Sequence, residues 1–367
     1  MSEQNLTQTA LHLKYRPKTL DKIIGHESVV TKLKGALKTG KLPSAIAFFG
    51  PPSAGKTTLA RAFATAINGS LNADYKEVNA ADERGIDDVR ELVKVSKFRP
   101  TSGKKRIIFI DEAHQLCSNN AAAQALLKSL EEPAPSTMWA LGSMEPSKFS
   151  STVGKAILSR CTQFVLEQHT ASDLLKQAVR IAKGEGMDYA LDEEKKALKQ
   201  LVRNCNGEMR TLANLMQSLQ QYVDGLDKTP KKLTSEHLSE VISTTESSDD
   251  RLAVQMMIGL YSNKFAVVQR SLLDVSDPFS FIKKCCWIAS FMLNVAVLDG
   301  QKHSKVWWSQ NNREVHTACK ALKLSLGTLA AVNAMLVKVQ SQSLSFQVPA
   351  TELLSMECYY HIKSMAS

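Results

Sequence analysis

From about residue 40 to residue 166, short apolar runs alternate with stretches whose apolar positions recur at helical spacing. The runs are Ala45–Phe49, Tyr75–Asn79, Arg106–Ile110, Met138–Ser143 and Thr162–Leu166. Between them lie TTLARAFATAI, IDDVRELVKVSKF and AAAQALLKSLEE. This β-α-β series predicts a parallel sheet with helices on both faces. Leu59, Phe63 and Ile67 recur every fourth residue and give the first of these helices one stripe to bury.

From about Ser172 onward the pattern is helical only. SDLLKQAVRIAKGEG opens on a Ser/Asp start and stops at glycine, and LDEEKKALKQLVRNCNG repeats that logic before EMRTLANLMQSLQQYV. A polar turn or linker, Asp224 to Glu236, precedes a short helix, SEHLSEVI. The polar acidic stretch Ser243 to Asp250 marks a domain boundary. Beyond it the spacing predicts helices at roughly 251–262, 264–273, 277–298, 313–323, 326–341 and 350–365. The expected division is 1–168, 169–243 and 251–367.

Composition adds an electrostatic bias. Forty-six Lys and Arg against 36 Asp and Glu leave a formal charge of +10, which favours an anionic partner, nucleic acid first. The seven cysteines form no C-x-x-C pair and have irregular spacing, which argues against a zinc site or a disulfide framework and for free thiols in a reducing compartment. The N-terminal MSEQNLTQTALHLKYRP has no apolar h-region of a secretory signal, and no membrane-spanning apolar run is expected.

The chemistry centres on a glycine-rich loop. Gly50-Pro51-Pro52-Ser53-Ala54-Gly55-Lys56-Thr57 fits G-x-x-x-x-G-K-[ST], between a predicted strand and a predicted helix that continues through Thr58. Glycines there let backbone N–H groups turn inward around phosphate, and the helix N-terminus faces the same anion. Lys56 is expected on the β/γ-phosphates and the Thr57 hydroxyl on Mg²⁺. Fifty-five residues after Lys56, the run RIIFI ends in Asp111-Glu112-Ala113-His114. Asp111 is placed to help hold Mg²⁺ and Glu112 to polarise an attacking water, although two acids after a strand also serve as helix caps. His114 reads as structural, a polar residue where the next helix begins. D-E-A-H occurs in certain helicases, but their arginine-rich late motif is not visible. No N-K-x-D supports a GTPase, since Asn263-Lys264 continues as Phe265-Ala266.

Several further strings stand in a familiar order: KYRP at Lys14–Pro17, NAADERGIDDVRE at Asn79–Glu91, DEAHQLCSNNAAAQALLKSLEEPAP, ILSRC at Ile157–Cys161 and GEMR at Gly207–Arg210. With the two ATP motifs, the chain resembles the ATPase subunits of sliding-clamp loaders, namely replication factor C small subunits, the bacterial gamma subunit and the large subunit of phage clamp loaders. The motifs span about residues 11–215, and the last third resembles the family's collar in length and helical content alone. The resemblance implies an α/β P-loop AAA+ domain, a small helical lid and a C-terminal all-α collar. It implies ATP and Mg²⁺ at the loop, a pentameric assembly with other loader subunits, a sliding clamp and primer–template DNA. It places the protein in the cytoplasm of a bacterium or phage-infected host, or in a nucleus, and gives no membrane partner. The four-cysteine zinc module of bacterial members is not visible between the ATP motifs.

The same resemblance assigns residues. Arg160 would be an arginine finger reaching a neighbouring subunit's ATP; as an isolated residue it is a core-edge ion-pair arginine. Arg210 matches the second sensor on the lid. Either Ser143 or Met144 stands at the first sensor. Tyr15, Arg16 and Pro17 match the segment that packs around adenine, with Ile24 and Gly25 beside it. Arg84, at the start of a helix, is implied to face the DNA; from the residues alone, Ser118 and Asn119 before another helix present a second N-terminus to the DNA backbone. Lys104, Lys105 and Arg106 are a weaker basic cluster. Trp287, Trp307 and Trp308 read as packing or oligomer surface. The rival readings are another AAA+ replication or branch-migration motor and a largely structural ATP-binding subunit.

Overall fold

The computed structural model describes residues 9–71, 74–187, 192–205, 207–226, 233–245, 248–297, 310–343 and 350–366. Trp307, Trp308 and the middle of the predicted linker after Asp224 lie outside them. The chain forms two compact units: residues 1–186 with 207–217, and residues 187–206 with 218–367.

The first unit is built on five strands, β1 (Ala45–Phe49), β2 (Tyr75–Asn79), β3 (Arg106–Asp111), β4 (Thr137–Ser143) and β5 (Thr162–Val165). All pair in parallel in the order β2-β3-β4-β1-β5. Helices α1 (Leu11–Lys14), α2 (Glu27–Thr39), α3 (Lys56–Asn68), α4 (Ile86–Ser96), α5 (Asn120–Glu131), α6 (Thr152–Ser159) and α7 (Ala171–Gly184) complete it with the start of α9 (Met209–Asp224). Every predicted strand is present, within a residue at each end.

The side-chain period of two explains why the strands read as apolar runs. Ala45, Ala47 and Phe49 of β1 face one core with Ile108, Trp139, Leu126 and Ile157. Ile46 and Phe48 face the other with Phe109, Met138, Leu33 and Phe63. The expected stripe of α3 is fully buried, with Leu59, Phe63 and Ile67 at 1%, 0% and 3% exposure. Helix α7 begins two residues earlier than its Ser/Asp start suggests. Thr170 is the cap, and its Oγ1 accepts from the Asp173 N–H at 3.2 Å while Asp173 Oδ2 accepts from the Thr170 N–H at 3.1 Å.

The second unit contains α8 (Asp192–Arg203), the end of α9, and α10 (Ser235–Thr245), α11 (Ser248–Tyr261), α12 (Phe265–Leu273), α13 (Pro278–Val297), α14 (Gln310–Ala321), α15 (Leu326–Ser343) and α16 (Ala350–Ala366). The last six share one apolar core that includes Met257, Phe281, Ile288, Val332 and Leu354. Two stretches singled out in the sequence meet the structure here. The polar stretch 243–250 is mostly helix end, closing α10 and opening α11. Its acidity has a local use, since the Asp249 carboxylate accepts from the N–H groups of Ser276 and Asp277 at 3.0 and 2.9 Å. Contrary to the expectation of no such run, Ser280–Val297 in α13 has the length and composition of a membrane span. Lys283 and Lys284 break the run to the eye, while Phe281, Ile282, Cys285, Ile288 and Met292 pack into the helical core.

Candidate nucleotide site

The glycine-rich loop leaves β1 at its C-terminal end and turns into α3. Its root is pinned to the sheet, for Gly50 N–H donates to Ser143 O and Met144 O at 3.2 and 3.0 Å. A Cβ on Gly50 would sit 2.7 Å from Leu166 O. Ser53 and Gly55 take φ of +61° and +97°, which turns the loop tightly before α3 begins. Lys56 is 8% exposed, and its Nζ donates to Gly50 O at 2.7 Å and Pro51 O at 3.1 Å. Burial pushes the Lys56 pKa down, and Asp111 and Glu112 counter the shift.

Asp111, last in β3, comes to this loop from the neighbouring part of the sheet. Thr57 Oγ1 donates to Asp111 Oδ2 at 3.0 Å, and Asp111 Oδ1 accepts from the Glu112 N–H at 3.0 Å. Glu112 follows at a left-handed φ of +49°, which turns the chain sharply off the strand end.

These residues open on a cleft of about 290 Å³. Pro52 to Leu59, Asp111 and Glu112 form one part of its wall; Tyr15, Arg16, Pro17, Ile23 and Ile24 form another; Met209, Arg210 and Ala213 of α9 contribute the rest with Gln177 and three histidines. The sequence-predicted P-loop, acidic pair, N-terminal segment and Arg210 therefore meet in one cavity. Gly50, Pro51, Gly25, Ser143 and Arg160 are not among its lining residues.

Tyr15 Oη donates to Glu185 Oε1 at 2.5 Å, and Lys14 Nζ lies 2.7 Å from the same oxygen. Burial, then Glu185, pushes the Tyr15 phenol up to about 12. Gly184 leaves room for it, because a Cβ there would stand 2.0 Å from Tyr15 Oη and the ring would have to shift. Arg16 is held below the usual guanidinium range by burial and by Arg61 and Arg210, with Glu77 opposing. The cleft thus gathers positive charge from Lys56, Arg16 and Arg210.

Sequence reasoning missed the histidines. His12, His26 and His169 all line the cleft. His26, at φ +57°, places Nε2 2.9 Å from Ala54 O, and its ring centroid lies 4.9 Å from that of His169. Burial, then His26, pushes His169 down to about 4, against the pull of Asp173. No local signal marks the pair, because its members lie 143 positions apart.

The remaining predicted residues lie elsewhere on the first unit. Arg160 follows α6, where Nη1 donates to Ala156 O at 2.8 Å and Nη2 to Glu131 Oε1 at 2.5 Å. Its side chain is 34% exposed. Arg84 and Asn119 are neighbours, with Asn119 Nδ2 donating to Arg84 O at 3.5 Å. Asn119 Oδ1 caps α5 by accepting from the Ala122 N–H at 3.2 Å, and Ser118 Oγ donates to Gln115 O at 2.6 Å. At the start of α4, Asp88 Oδ2 takes the Gly85 N–H at 2.9 Å, and Asp87 adds a second acid to the first turn. That end is already supplied with negative charge, which works against an anion at its backbone amides. In the weaker basic cluster, Arg106 donates to Val95 O and Arg99 O and lies 3.6 Å from Asp74, while Lys105 Nζ holds Pro135 O.

A phosphate-type loop between β1 and its helix, with an Asp-Glu pair at the end of β3, one strand removed from β1 in a five-stranded parallel sheet, defines an AAA+ type P-loop ATPase fold. The RuvB Holliday junction branch migration motor of Thermotoga maritima shares that fold, with a TM-score of 0.52 and 20% identity over 65% of this chain and 78% of that one. Residues 70–170 match the family model described as DNA polymerase III, delta subunit. Replication factor C subunit 3 of Blastobotrys adeninivorans is 30% identical over 296 residues, 79% of each chain. The replication factor C small subunit of Methanocella arvoryzae is 32% identical over 71% of this chain and 75% of its own. The chain belongs to the clamp-loader family of ATPase subunits that includes the replication factor C small subunits.

Proposed function

We propose that this protein is an ATPase subunit of an intracellular multi-subunit clamp loader, which places a ring-shaped sliding clamp on primer–template DNA during replication. One observation carries the reading: Lys56, Thr57, Asp111 and Glu112 converge at a single cleft, in a chain of this family. The division into ATPase domain 1–168, lid 169–243 and collar 251–367 belongs to the same proposal.

The wall residues suit ATP with Mg²⁺. Thr57 and Asp111 offer hard oxygen donors 3.0 Å apart, and Lys56 is a nearly buried cation whose hydrogen-bond partners are neutral carbonyls. Bound ATP–Mg²⁺ supplies the phosphoanhydride bond whose cleavage drives the cycle. Lys56 and backbone amides of the loop would hold the phosphates, Thr57 and Asp111 would hold the metal, and Arg210 would add positive charge from α9. Tyr15, Arg16 and Pro17 flank the base, where Arg16 brings its charge as well as its packing surface. Glu112 takes the proton of the attacking water. Arg160, outside its own cleft, serves a neighbouring subunit's site, which makes turnover depend on assembly. Arg84, Ser118 and Asn119 track the DNA backbone through phosphate contacts without base reading.

The test is steady-state ATP hydrolysis by the protein with its partner subunits, a cognate clamp and primed DNA. Strong joint stimulation by clamp and DNA is expected. A rate indifferent to the clamp in every subunit combination overturns the reading.

A further inference from the structure

Sequence reasoning treats His114 as structural and leaves the first sensor between Ser143 and Met144. Their placement suggests a different division of labour. Ser143 ends β4 and is 1% exposed. Its Oγ lies 3.0 Å from His114 Nδ1, and that same nitrogen lies 3.4 Å from Glu112 Oε2. The Met144 side chain has no hydrogen to donate, and its Sδ accepts from Lys148 Nζ at 3.2 Å. Glu112 lines the cleft, whereas Ser143 and Met144 do not.

The protonation pattern follows from the partners. Gln115 Nε2 is an amide nitrogen and can only donate, and it faces His114 Nε2 at 3.4 Å. A neutral imidazole that accepts at Nε2 carries its proton on Nδ1. The Glu112 carboxylate can only accept, so Nδ1–H is the donor shared between Glu112 and Ser143. Burial and the nearby Lys148 amine lower the His114 pKa, against Glu112, which keeps the ring in the neutral form this pattern needs. The backbone of Glu112 is fixed separately, through its N–H to Asp111 Oδ1 at 3.0 Å. His114 therefore supplies what the backbone cannot, a hold on the carboxylate end.

We propose that His114 is the positioning residue for the Glu112 carboxylate, and that Ser143 acts on hydrolysis through His114 rather than by touching nucleotide. The inference rests on the reading of Glu112 as the base. It gives the string D-E-A-H a role in this chain distinct from helix initiation, and it connects the end of β4 to the catalytic carboxylate through one ring.

The experiment measures kcat, KM and nucleotide affinity for the assembled loader with clamp and primed DNA, with folding checked by thermal melting. His114→Ala is expected to lower kcat roughly ten- to a hundred-fold, the worth of a hydrogen bond to a charged group, with ATP affinity and KM changed less than about twofold. His114→Asn, which returns an N–H near the Nδ1 position, is expected to recover most of the rate. Ser143→Ala is expected to lower kcat in the wild-type background and to add nothing to His114→Ala, as coupled neighbours do. An unchanged kcat with a raised KM, an Asn variant no better than Ala, or additive losses would each overturn the proposal. Glu112→Gln separates the two levels. If it keeps the wild-type rate, the reading of Glu112 falls and this inference with it; if it abolishes turnover while His114→Ala does not slow it, this inference falls alone.

Discussion

Replacing Arg160 by alanine separates two roles that the structure lets one side chain play. Within its own chain the guanidinium makes an ion pair with Glu131 and caps α6 through Ala156 O. Both ends of the pair are partly exposed, at 34% and 44%. Such a pair contributes about 0.2–1 kcal/mol. Arg160→Ala should therefore lower the melting temperature by a few degrees at most, since 1 kcal/mol shifts it by roughly 2–4 °C in a domain of about 150–250 residues. An arginine finger is worth about 10³–10⁵ in rate, or roughly 4–7 kcal/mol of transition-state stabilisation. The two magnitudes do not overlap. The assay is ATP turnover by the assembled loader, beside equilibrium nucleotide binding and thermal melting of the variant. The expected result is a collapse in clamp- and DNA-stimulated turnover with binding and melting nearly unchanged. Glu131→Ala, which releases the guanidinium, should preserve turnover within a few-fold. A turnover loss below about tenfold in Arg160→Ala, or an equal loss in Glu131→Ala, would refute the trans-acting role and leave a local ion pair.

Lys56→Ala should weaken ATP binding by roughly 10- to 100-fold, as expected on losing a charged donor, read by titration with a fluorescent nucleotide. Gly184→Ala places a methyl 2.0 Å from Tyr15 Oη. It should cost about 1–3 kcal/mol of stability as an overpacking change and weaken nucleotide binding by displacing Tyr15, seen by denaturant unfolding and the same titration. Burial alone would raise the Asp74 pKa, but the Thr101, Ser102 and Gly103 N–H groups hold it down at about 2. Against an unfolded value near 4, its stabilisation, on the order of 2 kcal/mol, is complete above about pH 4 and is lost as pH falls toward 2. Asp74→Asn should lower stability at pH 7 and flatten that part of the acid-unfolding curve.

The sheet and the phosphate loop were legible because their signals are local. Strand runs, a glycine pattern and an acidic pair each declare themselves within ten residues, and burial on both faces leaves few polar interruptions in β1, β3 and β4. The helices after Ser248 were legible from periodicity alone. The parts that were not legible depend on distance or on a second use of a residue. Tyr15 meets Glu185 across 170 positions, and Gly184 looks like a helix stop although its lack of a side chain makes room for a phenol. The basic cluster at 104–106 resembles a nucleic-acid patch, yet Lys105 and Arg106 mostly hold backbone carbonyls. Within the run 243–250, Asp249 looks like one more linker acid, yet its carboxylate accepts from the N–H groups of Ser276 and Asp277 just before α13. His114 is the sharpest case, since its neighbours in sequence suggest a helix start while its partner Ser143 comes from a strand 29 residues away.

The cleft wall begins at His12 and ends at Ala213, and the Leu11 N–H donates to Gln217 Oε1 across 206 positions. At a synthesis rate of about 5–20 residues per second, roughly 10–40 s separate the appearance of those two residues at the ribosome. During that interval the sheet can already close around β1 and present the phosphate loop, while Tyr15 and Arg16 still wait for Glu185 and for α9. A nascent chain at this stage would carry a phosphate cradle lacking its far wall. The complete cleft wall therefore exists only once a little over two hundred residues have been made.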